Sequence, residues 1–474
     1  MTDFNALQAL EKSTRVLEPD RATAAEWFQK AERFALDFAE AIETKNAFDA
    51  DFTKSEAIES IDLEKKVSLD KALAEIDDYV FQGGLEPASG GHIGYIPGGG
   101  IVAAAMGDLI AAVSNKYAGM FYGSPGTVRL ENKLVRWFCD KVGYYTRSSG
   151  VLLSGGSLSN LTGIVAGRDA KKALALGDKG VIYLTGQTHH CMDKAFRISG
   201  LANQTFRYVA MDDRFRMDPV ALKNQIEEDI AAGLTPWLIV ANAGSTDTGA
   251  IDPIAEIASI SDTNNMWLHV DGAYGGLFCL LEEYATELGS LHLADSLVLD
   301  PHKTLFLPYG LGVALVKNAS HLKNSFGFEA NYMQDAQNQG FQTSPAELGP
   351  ELTKHFRGLR MWLPLRMFGI EPFIDGLKEK RLLTLYFQEE INKRGFHTPY
   401  TPQLTVLLFR KNTGENEQDN VTNKEILDKL LADGRVFISS TTVDGLFYLR
   451  IAVLSFRTHK HTMDVLLDMI DKAC

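Results

Sequence analysis

Lys303 stands in the run LVLDPHKTLFLP, Leu297–Pro308, where an apolar stretch breaks into Asp-Pro-His-Lys and then resumes. A buried ammonium is costly unless it is paired, neutral or covalently occupied. One reading is a packed stem whose charged end reaches water. The other is a reactive amine, since a lysine that sheds its proton condenses with a carbonyl to form a Schiff base. That chemistry needs company. An aldehyde cofactor of this kind requires a cradle for a phosphate, an anion to keep a ring nitrogen protonated and a flat group to stack on the ring.

Three other stretches offer those parts. SGGSLSNLTGIVAGRDA, residues 154–170, is a glycine-serine turn opening a helical pattern. Amides at a helix N-terminus, with the Ser157 and Ser159 hydroxyls, make an anion site; the bland alternative is an ordinary cap with flexible glycines. WLHVDGAYGG, residues 267–276, ends a fully apolar run on Asp271. A carboxylate there must be paired, by a structural cation or by a pyridinium. At about 4 Å and an effective dielectric near 20, a pyridinium gains on the order of 4 kcal/mol. That equals about three pKa units, enough to hold a ring proton. TGQTHHCMDKAFRISG, residues 185–200, sets His189 and His190 just past a strand pattern, where one imidazole can stack and the other is a structural or surface histidine.

These residues need a scaffold that gathers them. From residue 150, short apolar runs alternate with helical stretches: GVLLSGG, GVIYLTGQTHH, WLIVANAGST, MWLHVDGAYGG, DSLVLDPHK and LGVALVKN. Continuous apolar strands spaced by helices imply an α/β fold with a mostly parallel sheet covered on both faces. In such sheets ligands collect beyond the carboxyl ends of the strands. Ser154 to Ser159, His189, Ser245, Thr246, Asp271, His302 and Lys303 all fall there. At 474 residues the chain exceeds the ~250–300 residues of a single core. Residues 1–85 read as a helical N-terminal segment, 86–374 as a large α/β domain and 375–474 as a smaller C-terminal α+β domain.

The combination HVDGAYGG, DPHK, GGSLSN and FRGLRMW resembles the group II pyridoxal-phosphate-dependent amino acid decarboxylases, the aromatic-L-amino-acid and glutamate decarboxylase family. The similarity runs from about Gly91 to Met367, and more loosely through FISSTTVDGLFYLRIAVL. The resemblance implies the transferase-like architecture of aspartate aminotransferase, fold type I. It implies pyridoxal 5'-phosphate bound as a Schiff base on Lys303, with Asp271 at the pyridine nitrogen and His189 stacked on the ring. Ser157, Leu158 and Ser159 would hold the phosphate. Thr246, Ala273, Asp300 and His302 would complete the cofactor site. Tyr332, in FGFEANYMQDAQNQGFQ, stands where the family places a proton donor on a mobile loop; related aldehyde-forming enzymes tend to carry phenylalanine there. The resemblance also implies a homodimer with the site at the subunit interface.

Departures from the aromatic members bear on the substrate. Asp300 and Thr304 replace the family's asparagine and tryptophan around PHK. Gly98, in GHIGYIPGG, replaces a substrate-contacting threonine, in a pocket that Tyr95, Phe121 or Tyr122 could rebuild. Lys354-His355 replaces a basic pair. The expectation is decarboxylation of an aromatic L-amino acid to its amine and carbon dioxide. Alternatives are glutamate or 2,4-diaminobutyrate as substrate, an aldehyde synthase, or a silent cofactor-binding homologue.

A net charge of −14 argues against nucleic acid or an anionic membrane as the main partner. GGGIVAAAMGDLIAAVS is broken by Asp108 and reads as a buried helix, and the N-terminus lacks a signal-peptide pattern. Cys139, Cys191, Cys279 and Cys474 lack metal-ligand spacing, so no metal is expected and reduced thiols in a cytoplasmic enzyme fit.

Overall fold

The computed structural model describes residues 4–328 and 342–474. The N-terminal helices Phe4–Thr14 and Arg21–Ala41 carry no buried residue. Asp20 caps the second by accepting from the Thr23 amide at 2.8 Å. Strands β1 (Phe48–Asp49) and β2 (Gly84–Leu85) pair antiparallel and close this segment on itself.

The large sheet contains β3 (Ser149–Leu153), β4 (Gly180–Leu184), β5 (Thr205–Tyr208), β6 (Thr235–Asn242), β7 (Trp267–Asp271), β8 (Ser296–Leu299) and β9 (Gly312–Val316). Their order is β3-β9-β8-β7-β6-β4-β5. Strand β9 is antiparallel to both neighbours, and every other pairing is parallel. The sheet is therefore mostly parallel, with one reversal that LGVALVKN could not announce. A strand buried on both faces reads as an unbroken apolar run whichever way it points. Because β3 to β8 share one direction, their carboxyl ends lie along a single edge, and β9 enters the sheet there.

The smaller sheet is antiparallel, ordered β10 (Phe396–His397), β11 (Val406–Lys411), β13 (Leu446–Ala452), β12 (Ser439–Val443). Asp444 and Gly445, both at positive φ, turn β12 into β13, the chemistry a two-residue hairpin demands. The helix Glu371–Lys393 joins the two units. Phe373 and Leu377 enter the larger core, whereas Leu383, Phe387 and Ile391 enter the smaller.

The helix Val102–Ser114 differs from the buried one expected of its sequence. Ala103, Ala104, Gly107 and Ala111 pack inward, while Met106, Leu109, Ile110 and Val113 stay exposed. Asp108 bonds Arg360 Nε at 2.8 Å. Among the described residues no helix is long and apolar enough to cross a membrane.

Candidate active site

A cavity of about 400 Å³ opens at the carboxyl edge of the large sheet. Turns after five different strands meet in it. Ser157 and Leu158 come from the turn after β3, His189 from the one after β4, and Thr246 from the one after β6. Asp271 and Ala273 end β7, while Asp300, His302 and Lys303 follow β8. Lys303 and Asp271, 32 residues apart in sequence, thus face one space.

The helix Gly156–Ala170 points its N-terminus at this cavity. Ser159 N is bonded to Gly155 O at 3.0 Å, so the Ser157 and Leu158 amides precede the first intrahelical bond. Gly156 is required by packing: a Cβ there would lie 2.8 Å from Asp300 Oδ2 and 3.2 Å from the Ala273 methyl. Ser159 itself does not reach the wall. It is fully buried, and its Oγ has no hydrogen-bond partner. Thr246 lines the cavity through a loop anchored by Arg450, whose guanidinium donates to the Thr246 carbonyl.

Asp271 is 8% exposed, and both of its oxygens accept hydrogen bonds. Asn160 Nδ2 donates to Oδ2 at 2.9 Å, and Ala273 N donates to Oδ1 at 3.1 Å. Asn160 Nδ2 also approaches Cys191 Sγ at 3.4 Å. Burial, reinforced by the Asp271 charge, pushes the Cys191 thiol up to about 12, so it stays protonated and inert.

His189 Nδ1 accepts from the Cys191 amide at 3.2 Å, which leaves the ring proton on Nε2. Burial lowers its pKa, against an upward pull from Asp271, and the ring is neutral at pH 7. Its ring centroid lies 4.1 Å from that of His190, which is exposed.

Lys303 Nζ lies 3.3 Å from Asp300 Oδ2, and its side chain is 23% exposed. The lysine is therefore half-buried against a carboxylate rather than snorkelling. His302 Nδ1 donates to Leu311 O at 2.7 Å, and burial lowers the pKa of the ring. Asp300 Oδ1 is buried without any hydrogen-bond partner.

The expected substrate-pocket residues are not on this wall. Tyr95 and Tyr122 are exposed, and Phe121 is buried with Arg129 over its ring at 4.9 Å. Gly98 answers a close approach instead of widening a pocket, because a Cβ there would sit 2.1 Å from His302 O. Lys354 is a structural cation, bonding Glu131 Oε2 and Leu152 O at 2.8 Å each, and His355 faces Asp108. Tyr332 lies outside the described residues. Among the wall residues that escaped the sequence reading are Asn160, Asn242, Tyr274 and Tyr309. Asn160 sits inside the GGSLSN turn and was legible as polar, but its partner is 111 positions away.

The donor set fits pyridoxal phosphate. First-turn amides suit a phosphate dianion, a doubly anchored carboxylate suits a protonated ring nitrogen, and the lysine amine suits an aldehyde. Residues 76–412 match the family description "Pyridoxal-dependent decarboxylase conserved domain". An aromatic-L-amino-acid decarboxylase of Bacillus atrophaeus is 30% identical over 376 residues, covering 78% of each chain. A phenylacetaldehyde synthase of Arabidopsis thaliana is 26% identical, covering 81% of this chain and 82% of its own. The solved structure of Oryza sativa TDC with PLP and tryptamine superposes with a TM-score of 0.91 at 23% identity, covering 96% of this chain and 98% of that one. The chain belongs to the pyridoxal-dependent decarboxylase family. It has the type I fold of pyridoxal-phosphate enzymes and is a pyridoxal-phosphate-dependent carboxy-lyase.

Proposed function

We propose that the protein converts an aromatic L-amino acid, of the tryptophan, tyrosine or DOPA type, to its amine and carbon dioxide. The observation that carries this reading is that Lys303 and Asp271 share one cavity with a helix N-terminus. The aromatic class is supported by the named decarboxylases among the relatives, including a tyrosine and a tryptophan decarboxylase.

Pyridoxal phosphate, when bound, supplies an electron-accepting ring conjugated to the substrate Cα. Ser157 and Leu158 would hold its phosphate end, and Thr246 would contact it from the loop after β6. Asp271 would hold a proton on the ring nitrogen, and neutral His189 would stack on the ring without adding a competing charge. Ala273 closes against the same end of the cavity. Lys303 would be the covalent anchor, with Asp300 3.3 Å away and His302 beside it. Tyr332 is assigned the proton delivered to Cα.

A homodimer with the site at the subunit interface is part of the proposal. It is supported by the uncovered apolar face of the helix Val102–Ser114 and by N-terminal helices in which no residue is fully buried in a single chain. Tyr95 and Tyr122, exposed here, are then available to a partner's cavity. Sedimentation of an active monomer would refute the dimer. A cytoplasmic location is proposed from the free thiols, two of them buried.

The test is a carbon dioxide release assay over aromatic L-amino acids, glutamate and diaminobutyrate, with product analysis. Amine from an aromatic substrate supports the reading; turnover confined to glutamate or diaminobutyrate overturns the substrate class. Aldehyde, ammonia and peroxide would favour the second reading, which rests on the likeness to phenylacetaldehyde synthase. Tyr332→Phe should cut amine formation by about tenfold or more while cofactor binding persists.

A further inference from the structure

Behind Asp271 lies a chain of hydrogen bonds that no step above uses. Trp267, His269 and Asp271 alternate along β7 and so share one face of the strand. Trp267 Nε1 bonds Ser296 Oγ at 2.8 Å, Ser296 Oγ bonds His269 Nδ1 at 2.7 Å, and His269 Nε2 bonds Asn160 Oδ1 at 2.9 Å. Asn160 Nδ2 completes the chain at Asp271 Oδ2, 2.9 Å away.

The two ends set the direction of every link. Indole N–H only donates, so Ser296 Oγ accepts from Trp267 and its own proton is left to give. A carboxylate only accepts, so Asn160 turns its amide nitrogen to Asp271 and its oxygen to His269. His269 must then be a neutral imidazole with its proton on Nε2. Burial, which lowers its pKa to about 4, keeps it so. All four bonds donate toward Asp271, and aligned bonds in a low-dielectric interior strengthen one another.

The helix above the chain is shaped around it. Asn160, Gly163 and Gly167 form one stripe of Gly156–Ala170. A Cβ at Gly163 would lie 2.7 Å from His269 Cε1, and one at Gly167 would lie 2.8 Å from Trp267 Nε1. Glycine is unfavourable in a helix interior, so two at this spacing mark a packing demand. The seam is reserved for the relay.

We propose that Ser296, His269 and Asn160 are positioning residues that hold the Asp271 carboxylate in place and aimed at the cofactor's ring nitrogen. The proposal rests on the reading that Asp271 faces that nitrogen. The other titratable groups on the cavity wall are His189, Cys191, Tyr274, Asp300, His302, Lys303 and Tyr309, none of them part of the relay.

The experiment compares His269→Leu, His269→Gln, Ser296→Ala and Asp271→Asn for affinity toward pyridoxal phosphate and for the pH midpoint of the bound cofactor's visible absorption. Melting of each apoprotein checks folding. Loss of one buried hydrogen bond corresponds to about tenfold in affinity. His269→Leu should therefore weaken cofactor binding about tenfold, and Ser296→Ala should weaken it by roughly threefold. Both should raise the visible midpoint, by up to about one unit, because a less firmly held ring proton lets the nitrogen at Lys303 keep its own to higher pH. Gln, which can place a donor near the Nε2 position, should restore most of the affinity.

If His269→Leu and Ser296→Ala match the parent in affinity and midpoint while Asp271→Asn does not, the relay is overturned. If Asp271→Asn also matches the parent, the reading of Asp271 fails first and the relay falls with it. Should His269→Leu not fold, Ser296→Ala decides alone.

Discussion

Asp271 and Asp300 stand at the carboxyl ends of neighbouring strands, both nearly sealed from water, and are held in opposite ways. Asp271 has each oxygen fastened by a neutral donor, one a backbone amide and one the Asn160 side chain. Asp300 has one oxygen with no hydrogen-bond partner, and the other lies 3.3 Å from Lys303 Nζ and 3.7 Å from His302 Nε2. A carboxylate fastened by neutral groups keeps its place when a nearby cation moves. One that leans on a lysine is altered whenever that lysine changes partner. The end of β7 is fixed by neutral donors, whereas the end of β8 is tied to the Lys303 amine.

The contrast orders the expected effects of mutation. On the proposed assignment, Lys303→Ala removes the covalent anchor, so carbon dioxide release should fall by about a thousandfold or more. Borohydride should no longer fix cofactor to the protein. Residual turnover within tenfold of the parent would remove Lys303 from the mechanism.

Next, Asp271→Asn should cost about a hundredfold in turnover, because charge at the ring nitrogen is lost. Asp300→Asn should cost about tenfold, since an amide can still accept from Lys303. Equal losses, or the reverse order, would break the contrast between the two strand ends.

Glycine replacements probe the same two places through packing. Gly312→Ala would press a methyl to 2.6 Å from Asp300 Oδ1 and 2.7 Å from Gly155 Cα. Gly163→Ala meets the His269 ring at 2.7 Å. Each should destabilise by about 1–3 kcal/mol in denaturant titration, with Gly312→Ala the costlier because backbone yields less than a ring.

The smallest effect is a pH slope. His269 has a folded pKa of about 4, below its ordinary value near 6.5, so the unfolded chain binds the extra proton first. Its contribution to stability is complete above about pH 6.5 and drains away as pH falls toward 4. His92, lowered to about 4 by burial, adds in the same sense. Asp252, raised to about 6 by burial, acts oppositely between its ordinary value of 3.8 and pH 6. The difference between parent and His269→Gln isolates one proton of this slope, measured on apoprotein from pH 7 to 4. Parallel curves would mean that His269 takes up its proton equally in the folded and unfolded states.

Much of the site was legible because strands buried on both faces announce themselves as apolar runs, and a polar residue at the end of such a run has to be explained. Asp271, His302 and Lys303 were visible in that way. Gly98 was placed in the substrate pocket only because it stands where the family has a threonine; the physical reason for a glycine there, His302 O lying against it, is visible only in the fold. His269 carried a warning in its own strand, a polar side chain in WLHVD, but its partners Asn160 and Ser296 belong to other elements.

The sequence by itself determined the kinds of chemical group present and the strand ends that carry them, since local apolar pattern sets where each strand stops. The tertiary structure alone decided which groups meet. It reversed β9, pressed Gly98 against the lysine turn, and ran a helix with two glycines over β7 so that an asparagine could reach Asp271. The last two depend on contacts between residues a hundred or more positions apart, and no local pattern encodes the distance at which two buried polar atoms satisfy one another.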